Sequence, residues 1–255
     1  MKVLFGIPTS GRNELAEKSV QSAFGQSRRP DEVRVVEDAG VQQPFEWKGK
    51  EKVTVTRNRE RGGPMMGRNQ MMLETDADIF IGLDDDSYFL DPDVIERACA
   101  VFKEKPKAGA LYFEVLMEGD ENRKERGSLR QVRTFVGCGC ALRTEAVREV
   151  GGYEKLPGLF YGEESDLSIR LLDKGWETWK VPGYHVWHAR TFHHRTRRDR
   201  ENERMWGTMN DLAFIVRRCP GLRMWAYLFG NLTNQIIYSL KSPFESLGQI
   251  GRAHV

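Results

Sequence analysis

Cysteine is scarce and scattered. Cys99, Cys138, Cys140 and Cys219 are the four cysteines in 255 residues, and none belongs to a Cys-x-x-Cys pair. Cys138 and Cys140 stand too close for a zinc ribbon or an ordinary disulfide, so a disulfide framework is excluded and a reducing, cytosolic compartment is expected. Long apolar runs are missing too. No stretch of about 18 apolar residues occurs, so no membrane-spanning helix is expected. The start, MKVLFGIPTSGR, has one lysine and a very short apolar run before Pro8, and reads as a first strand and not a signal peptide. An excess of one charge is lacking, since 39 basic against 37 acidic residues leave a net charge of +2. That balance offers no general attraction for nucleic acid. Internal repeats and low-complexity linkers are also absent. What remains is an ordinary globular composition, 40% apolar and 30% charged, that fits one large α/β domain with an appendage.

Hydrophobic periodicity sets the order of elements. Lys2 to Ile7 reads as a buried strand ending in a Pro-Thr-Ser-Gly turn. A helix follows with Ala16, Val20, Ala23 and Phe24 on one face. Strands are expected at Val33 to Val36, Val53 to Thr56 and Ile79 to Leu83, with a helix around Arg68 to Glu74 between the last two. The next helix turns Val94, Ala98, Val101 and Phe102 inward. This alternation predicts a mostly parallel sheet covered by helices, with ligands outside the carboxyl ends of the strands. Glu37, Asp38 and Asp84 to Asp86 fall at such ends. Beyond them come a strand at Ala108 to Val115, a charged loop from Glu118 to Gly127 and a short helix stopping at Gly151-Gly152. A helix from Glu163 to Lys174, capped by Gly175, precedes a strand at Trp176 to Val181 and a His-rich segment to His194. Helices are expected from Asp199, with Met205, Met209, Leu212 and Val216 on one face.

Three constellations carry chemistry. Leu83-Asp84-Asp85-Asp86 puts three carboxylates after an apolar strand. Such a group is costly to hold together unless water or a cation neutralises it, and a hard divalent ion with diphosphate oxygens is a natural partner. The bland alternative, a helix N-cap run, is already served by Asp91-Pro92-Asp93. Glu163-Glu164 with Asp166 exceeds what a helix dipole needs, so one of these carboxylates could take a proton from an attacking hydroxyl. Among His185, His188, His193 and His194, His188 follows a strand and the Pro182-Gly183 turn, and could swing back to the sheet ends as a metal ligand. The basic stretch Arg195, Arg197, Arg198, Arg200 and Arg204 suits a solvated face, a diphosphate or an anionic lipid surface. No nucleic-acid reading motif accompanies it, so a nucleic-acid partner is not expected.

The ordered series of motifs resembles family 2 glycosyltransferases of the GT-A fold. Ile7-Pro8-Thr9 with Arg12 resembles the family's first strand and nucleotide turn, and Val35-Val36-Glu37-Asp38 the segment leading to the base-binding acid. Gly67-Arg68-Asn69 resembles its Ala-Arg-Asn element, and Asp84-Asp85-Asp86 its D-x-D motif. Gly137-Cys138-Gly139 followed by Arg143 and Gly151-Gly152-Tyr153 resembles the acceptor-side loop and helix. Glu163-Glu164-Ser165-Asp166-Leu167 with Arg170-Leu171 resembles the motif that holds the catalytic base. The likeness covers about residues 2 to 190. Glu37 stands in place of the more usual Asp, Ala39-Gly40 in place of Gly-Ser, and Glu164 where an Asp is common.

The resemblance implies a nucleotide-diphospho-sugar transferase fold, α/β, over residues 1–195. Its nucleotide-binding half spans about 1–100 and its acceptor half 101–195, and a helical extension follows over 196–255. It implies an inverting enzyme that moves a sugar from a nucleoside-diphosphate sugar, UDP-sugar favoured, to a hydroxyl acceptor in polysaccharide, glycolipid or cell-surface glycan synthesis. Asp86 and His188, with Asp84, would hold Mn²⁺ or Mg²⁺. Pro8, Thr9, Arg12, Glu37, Asp38, Arg68, Asp84 and Asp85 would serve the nucleotide, with Asp38 and Arg68 reading the base. Gly137, Cys138, Gly139 and Asp166 would lie on the acceptor side, and Glu164, or its neighbour Glu163, would be the general base. A sugar nucleotidyltransferase of similar fold and a non-catalytic carbohydrate- or lipid-binding module are the rival readings. Leu222 to Leu240, rich in Met and aromatics and flanked by Arg217, Arg218, Arg223 and Lys241, reads as a helix that covers the catalytic domain or joins a homodimer. The alternative is a helix at an anionic lipid boundary, which would make the enzyme peripheral at the inner face of the membrane beside a lipid-linked acceptor.

Overall fold

The computed structural model describes residues 1–120, 127–158, 161–189 and 197–241. His193, His194 and Arg195, named above, lie outside these residues, as does most of the charged loop after Glu118. The first strand, β1 (Val3–Thr9), is buried along its whole length. A continuous apolar run of this kind belongs in the middle of a sheet with both faces covered. It pairs in parallel with β2 (Glu32–Glu37) on one side and β4 (Ile79–Gly82) on the other, and β2 pairs in parallel with β3 (Thr54–Arg57).

Successive side chains of β1 point to opposite faces, and each face has its own helices. Val3, Phe5 and Ile7 join one core cluster with α1 (Asn13–Phe24) and α3 (Val94–Glu104), through Ala16, Val20, Ala98 and Phe102. Leu4 and Phe80 join the other, against α2 (Gly63–Leu73), α4 (Thr144–Glu149) and α5 (Glu163–Asp173), through Met71, Met72, Val147 and Leu171. Truncation of a fully buried phenylalanine such as Phe80 costs about 3–5 kcal/mol.

The second half departs from the parallel pattern. The sheet order is β3-β2-β1-β4, then β8 (Cys140–Arg143), β6 (Ala108–Leu116), β9 (Glu177–His188) and β5 (Ser87–Phe89), with β7 (Arg130–Val132) also on β9. β8 runs antiparallel to both β4 and β6. β9 is parallel to β6 and antiparallel to β7 and to β5. The sheet is therefore mixed and continuous across both halves. β9 also outruns the strand expected to stop at Val181. A register shift between Phe113 and Glu114 absorbs Pro182-Gly183, and the strand continues to His188, opposite Ser87.

Two helices follow, α6 (Arg197–Arg218) and α7 (Leu222–Lys241). α6 packs on α5, and α7 packs on α6. The apolar stripe of α7 does not cover the catalytic domain, because Leu222, Trp225, Phe229 and Leu240 are exposed among the described residues. No described helix is long and apolar enough to cross a membrane.

Candidate active site

The carboxyl ends of β1, β2 and β4 open into a cleft of 680 Å³ that also receives the end of β6, the start of α5 and the last residue of β9. Pro8, Thr9, Arg12, Asp38, Arg68, Asp84, Asp85, Asp86, Cys138, Glu163, Glu164 and His188 all line it. Residues far apart in the chain meet there because parallel strands deliver their ends to one side of the sheet.

The acidic loop after β4 is held from behind. The Ser19 hydroxyl, on the buried face of α1, lies 3.1 Å from the carbonyls of Asp84 and Asp85 and within hydrogen-bond reach of that of Ser87. The Ser87 hydroxyl accepts from the Asp84 N–H at 2.9 Å. With its backbone fixed, the loop sends its carboxylates to different partners. Asp85 is buried and accepts from Thr9 Oγ1 at 2.8 Å and from Arg12 Nε at 3.1 Å. Burial pushes its carboxyl up to about 6, against the opposing pull of Arg12 and Thr9. Asp86 pairs with Arg12 and lies 3.1 Å from His188 Nε2. Burial pulls its carboxyl up, but His188 and Arg12 outweigh this and hold it below the usual range. Asp84 pairs with the buried guanidinium of Arg68. Arg68, expected beside the nucleobase, thus sits under the acidic loop.

Asp84, Cys138 and His188 bring one ligand atom each within 4.8 Å of one another. Desolvation lowers the His188 pKa, yet hydrogen bonds to Asp86 and Cys138 push it up to about 10. Burial raises the Cys138 thiol. Asp84 and His188 supply an oxygen and a nitrogen donor of the kind a hard divalent cation takes, with Cys138 as the unexpected third group and Asp86 beside them, 3.1 Å from His188. The donor set fits such an ion.

Opposite the acidic loop, a tight turn starts α5. Tyr161 (φ 76°) and Gly162 (φ 85°) both adopt left-handed backbone, and Tyr161 is the only non-glycine with positive φ among the described residues. This conformation costs roughly 1–2 kcal/mol for a residue with a Cβ. Asn210 of α6 holds the turn. Its amide donates to the Tyr161 carbonyl at 2.7 Å, and its Oδ1 accepts from the Gly158 N–H at 2.7 Å. The turn delivers Glu163 and Glu164 to the cleft. Glu164 Oε1 accepts from the Gly137 N–H at 3.1 Å. A Cβ on Gly137 would lie 2.4 Å from that oxygen and 3.1 Å from Arg68 Nη1, so only glycine allows this approach. Burial first, then mutual repulsion, pushes Glu163 up, and burial also raises Glu164. Arg68 opposes both shifts, and the Gly137 N–H further opposes that of Glu164. Glu163 Oε2 is buried without a hydrogen-bond partner.

Three residues named from the sequence are engaged elsewhere. Glu37 is buried, accepting from the Phe45 N–H at 2.6 Å and Arg57 Nε at 3.0 Å, and does not line the cleft. Asp166 is buried between Arg170 and Arg218, tying α5 to α6. Gly139 (φ 81°) shapes the turn into β8. Asp38 lines the cleft while accepting from Gly62 and Gly63 N–H at 3.0 and 3.1 Å, at the start of α2. Ser19, Asn210 and Glu203, the last of which lines the cleft, were not found from the sequence. Only Ser19 left a signal, as a polar residue on the inward stripe of α1.

A mixed sheet flanked by helices, with an acidic loop at a central strand end, defines the GT-A class of glycosyltransferase folds. The chain belongs to glycosyl transferase family 2, whose model matches residues 5–152. The model of glycosyl transferase family group 2 matches residues 79–244. Among solved structures, TarS from S. aureus is similar at 17% identity and a TM-score of 0.62, over 98% of this chain and 47% of that one. The mannosyltransferase PcManGT from Pyrobaculum calidifontis, in complex with GDP-Man and Mn²⁺, is similar at 16% identity and a TM-score of 0.64, over 99% and 79%. GalNAc-T7 with UDP, GalNAc and Mn²⁺ is similar at 14% identity and a TM-score of 0.62, over 95% and 57%. These identities speak for the fold alone, and the chain spans about half the length of TarS. No curated protein matches the chain.

Proposed function

We propose that the chain is an inverting, metal-dependent glycosyltransferase that moves a sugar from a nucleoside-diphosphate sugar, UDP-sugar favoured, to a hydroxyl acceptor. The observation that carries this reading is the pair Glu163-Glu164, the first buried and the second partly so, facing the Asp84 to Asp86 loop across one cleft. In this reading Pro8, Thr9 and Asp38 take the nucleoside, and Arg12 and Asp85 border its phosphates. Asp84, Asp86 and His188 hold Mn²⁺ or Mg²⁺, and such an ion supplies charge stabilisation to the departing diphosphate. The neighbouring carboxyls differ in protonation because their surroundings differ. Glu164 is steadied as a carboxylate by Arg68 and the Gly137 N–H, and takes the acceptor's proton as the hydroxyl attacks the anomeric carbon. Glu163, beside that charge, keeps its own proton. Attack opposite the leaving diphosphate inverts the anomeric centre. The complexes of PcManGT with GDP-Man and Mn²⁺, and of TarS with UDP-GlcNAc, support a nucleotide-sugar donor.

The test is a thermal-shift panel of UDP-, GDP- and TDP-sugars with and without Mn²⁺, followed by a transfer assay. Ligand at 100 times its Kd adds about 2.7 kcal/mol. At about 2–4 °C per kcal/mol for a chain near this size, the right donor raises Tm by roughly 5–10 °C. Asp86→Asn is expected to lose the Mn²⁺-dependent part of the shift and nearly all transfer while keeping the unliganded Tm. A panel with no shift, or full transfer in excess chelator, removes the reading.

A further inference from the structure

The apolar face of α7 has no place in the catalytic reading. Met224, Leu228, Asn231, Gln235 and Tyr238, spaced four and three apart, are partly covered and mark the side that meets α6; Thr233 is partly covered as well. Gln235 donates to Thr208 Oγ1 at 3.1 Å and accepts from Arg204 at 2.9 Å, while Tyr238 lies under the Arg204 guanidinium. A second stripe, Leu222, Trp225, Phe229, Leu232, Ile236 and Leu240, repeats the same spacing on another side and is 52–86% exposed. Six large apolar side chains in one line exceed what a soluble surface carries by accident.

The charges of α7 decide what could cover this stripe. The helix contains no Asp or Glu; its only charged residues are Arg223 at one end and Lys241 at the other. A second copy seated stripe to stripe would set Arg223 against Arg223 in a parallel pair, or against Lys241 in an antiparallel one. Neither arrangement offers an acidic residue from α7. An anionic headgroup layer neutralises both ends at once, and Trp225 and Tyr227 suit the boundary between headgroups and acyl chains. We propose that α7 is a peripheral membrane helix that lies flat on an anionic lipid surface with the stripe from Leu222 to Leu240 inserted. It does not span, since no described helix is apolar enough for that.

The position of the helix gives the docking a use. Glu203 of α6 lines the cleft, and the next residue, Arg204, grips Gln235 and Tyr238 near the end of α7. A chain docked through α7 therefore holds one side of its cleft close to the lipid surface. Resting on the transferase reading, this makes a lipid-linked hydroxyl the acceptor class; the docking itself does not depend on it.

Co-sedimentation of the full chain with vesicles tests the docking without any transfer assay. The vesicles are neutral phosphatidylcholine, or phosphatidylcholine with about one third phosphatidylglycerol. Binding is expected at low salt to the anionic vesicles, at least roughly tenfold stronger than to neutral ones, since each basic residue near such a surface contributes about 1 kcal/mol. Salt is expected to weaken it, because screening shortens to about 3 Å at 1 M. Phe229→Glu/Ile236→Glu should abolish binding while donor-induced thermal shifts persist, and vesicles should move the tryptophan emission to the blue only with the parent chain, a change that Trp225→Phe removes. Sedimentation equilibrium without lipid separates the other occupants. A dimer that Phe229→Glu/Ile236→Glu dissolves, in a chain that ignores vesicles, makes the stripe a self-association face and overturns the proposal. A monomer that ignores anionic vesicles at low salt overturns it as well.

Discussion

The glutamate pair makes a prediction in which activity and stability move in opposite directions. Glu163→Gln removes a carboxylate whose Oε2 is buried without a partner and which lies beside Glu164. A buried polar group left unsatisfied costs about 1–3 kcal/mol, and more if charged. The folded state raises the carboxyl pKa, so it binds protons more readily than the unfolded chain does. Stability from this site is then complete below the ordinary glutamate value of about 4.3, and is lost as pH rises through the higher folded value. Glutamine abolishes that loss. The variant should melt roughly 2–12 °C above the parent at pH 8, at about 2–4 °C per kcal/mol, with the gain shrinking towards pH 5. Because glutamine resembles the protonated acid, Glu163→Gln should keep kcat within about tenfold. Glu164→Gln should also gain stability, yet lose about 10²–10⁴ in kcat, the usual worth of a general base. Melting curves at pH 5, 6.5 and 8, set beside steady-state transfer rates, provide the measurement. A Glu163→Gln variant less stable than the parent at pH 8, or a gain independent of pH, refutes the coupled-carboxyl reasoning. Full activity in Glu164→Gln with a dead Glu163→Gln exchanges the two roles.

Three further outcomes follow from the site. Gly137→Ala places a methyl 2.4 Å from Glu164 Oε1, so kcat should fall about 10–100-fold while the donor KM changes less than threefold. Asn210→Ala releases the left-handed turn at Tyr161 and should lower both kcat and stability, the latter by about 1–3 kcal/mol. Tyr161→Gly, which accepts that backbone without strain, should restore part of the lost kcat in the double variant; no rescue removes the positioning role. Asp38→Ala should weaken donor binding and, by uncapping α2, lower stability by about 0.5–2 kcal/mol; a pure kcat defect at unchanged donor affinity contradicts its placement.

The parts of the fold legible in the sequence are those with strong local pattern. β1 and β4 are nearly unbroken apolar runs, β2 sets Val33, Val35 and Val36 between charged residues, and α3 carries its apolar residues on one face. The strands β5, β7 and β8 have three or four residues each, too few for a period to register, and exist because neighbours pair with them. The extension of β9 through Pro182-Gly183 needed the register shift on β6, which no local rule announces. The cleft-lining acids, His188 and the glutamate pair were readable because motif order placed them at strand and helix ends. Glu37 and Asp166 carried the same motif signal, but distant arginines, Arg57 and Arg218, decide their surroundings. Asn210 acts across 49 residues on Tyr161, a partnership visible only once the chain is folded.

The continuity of the sheet limits how the cleft can open. β4 and β8 are hydrogen-bonded neighbours, so the strands that carry the acidic loop and those that lead to the glutamate turn belong to one sheet. No hinge separates a donor lobe from an acceptor lobe among the described residues. Swinging the two walls apart would break ladder hydrogen bonds in the middle of the structure. Entry and exit of a bulky substrate therefore fall to the rim, where half-exposed side chains such as Arg12 can rearrange at much lower cost. In such a frame any opening stays local to the edge, while the walls keep their spacing.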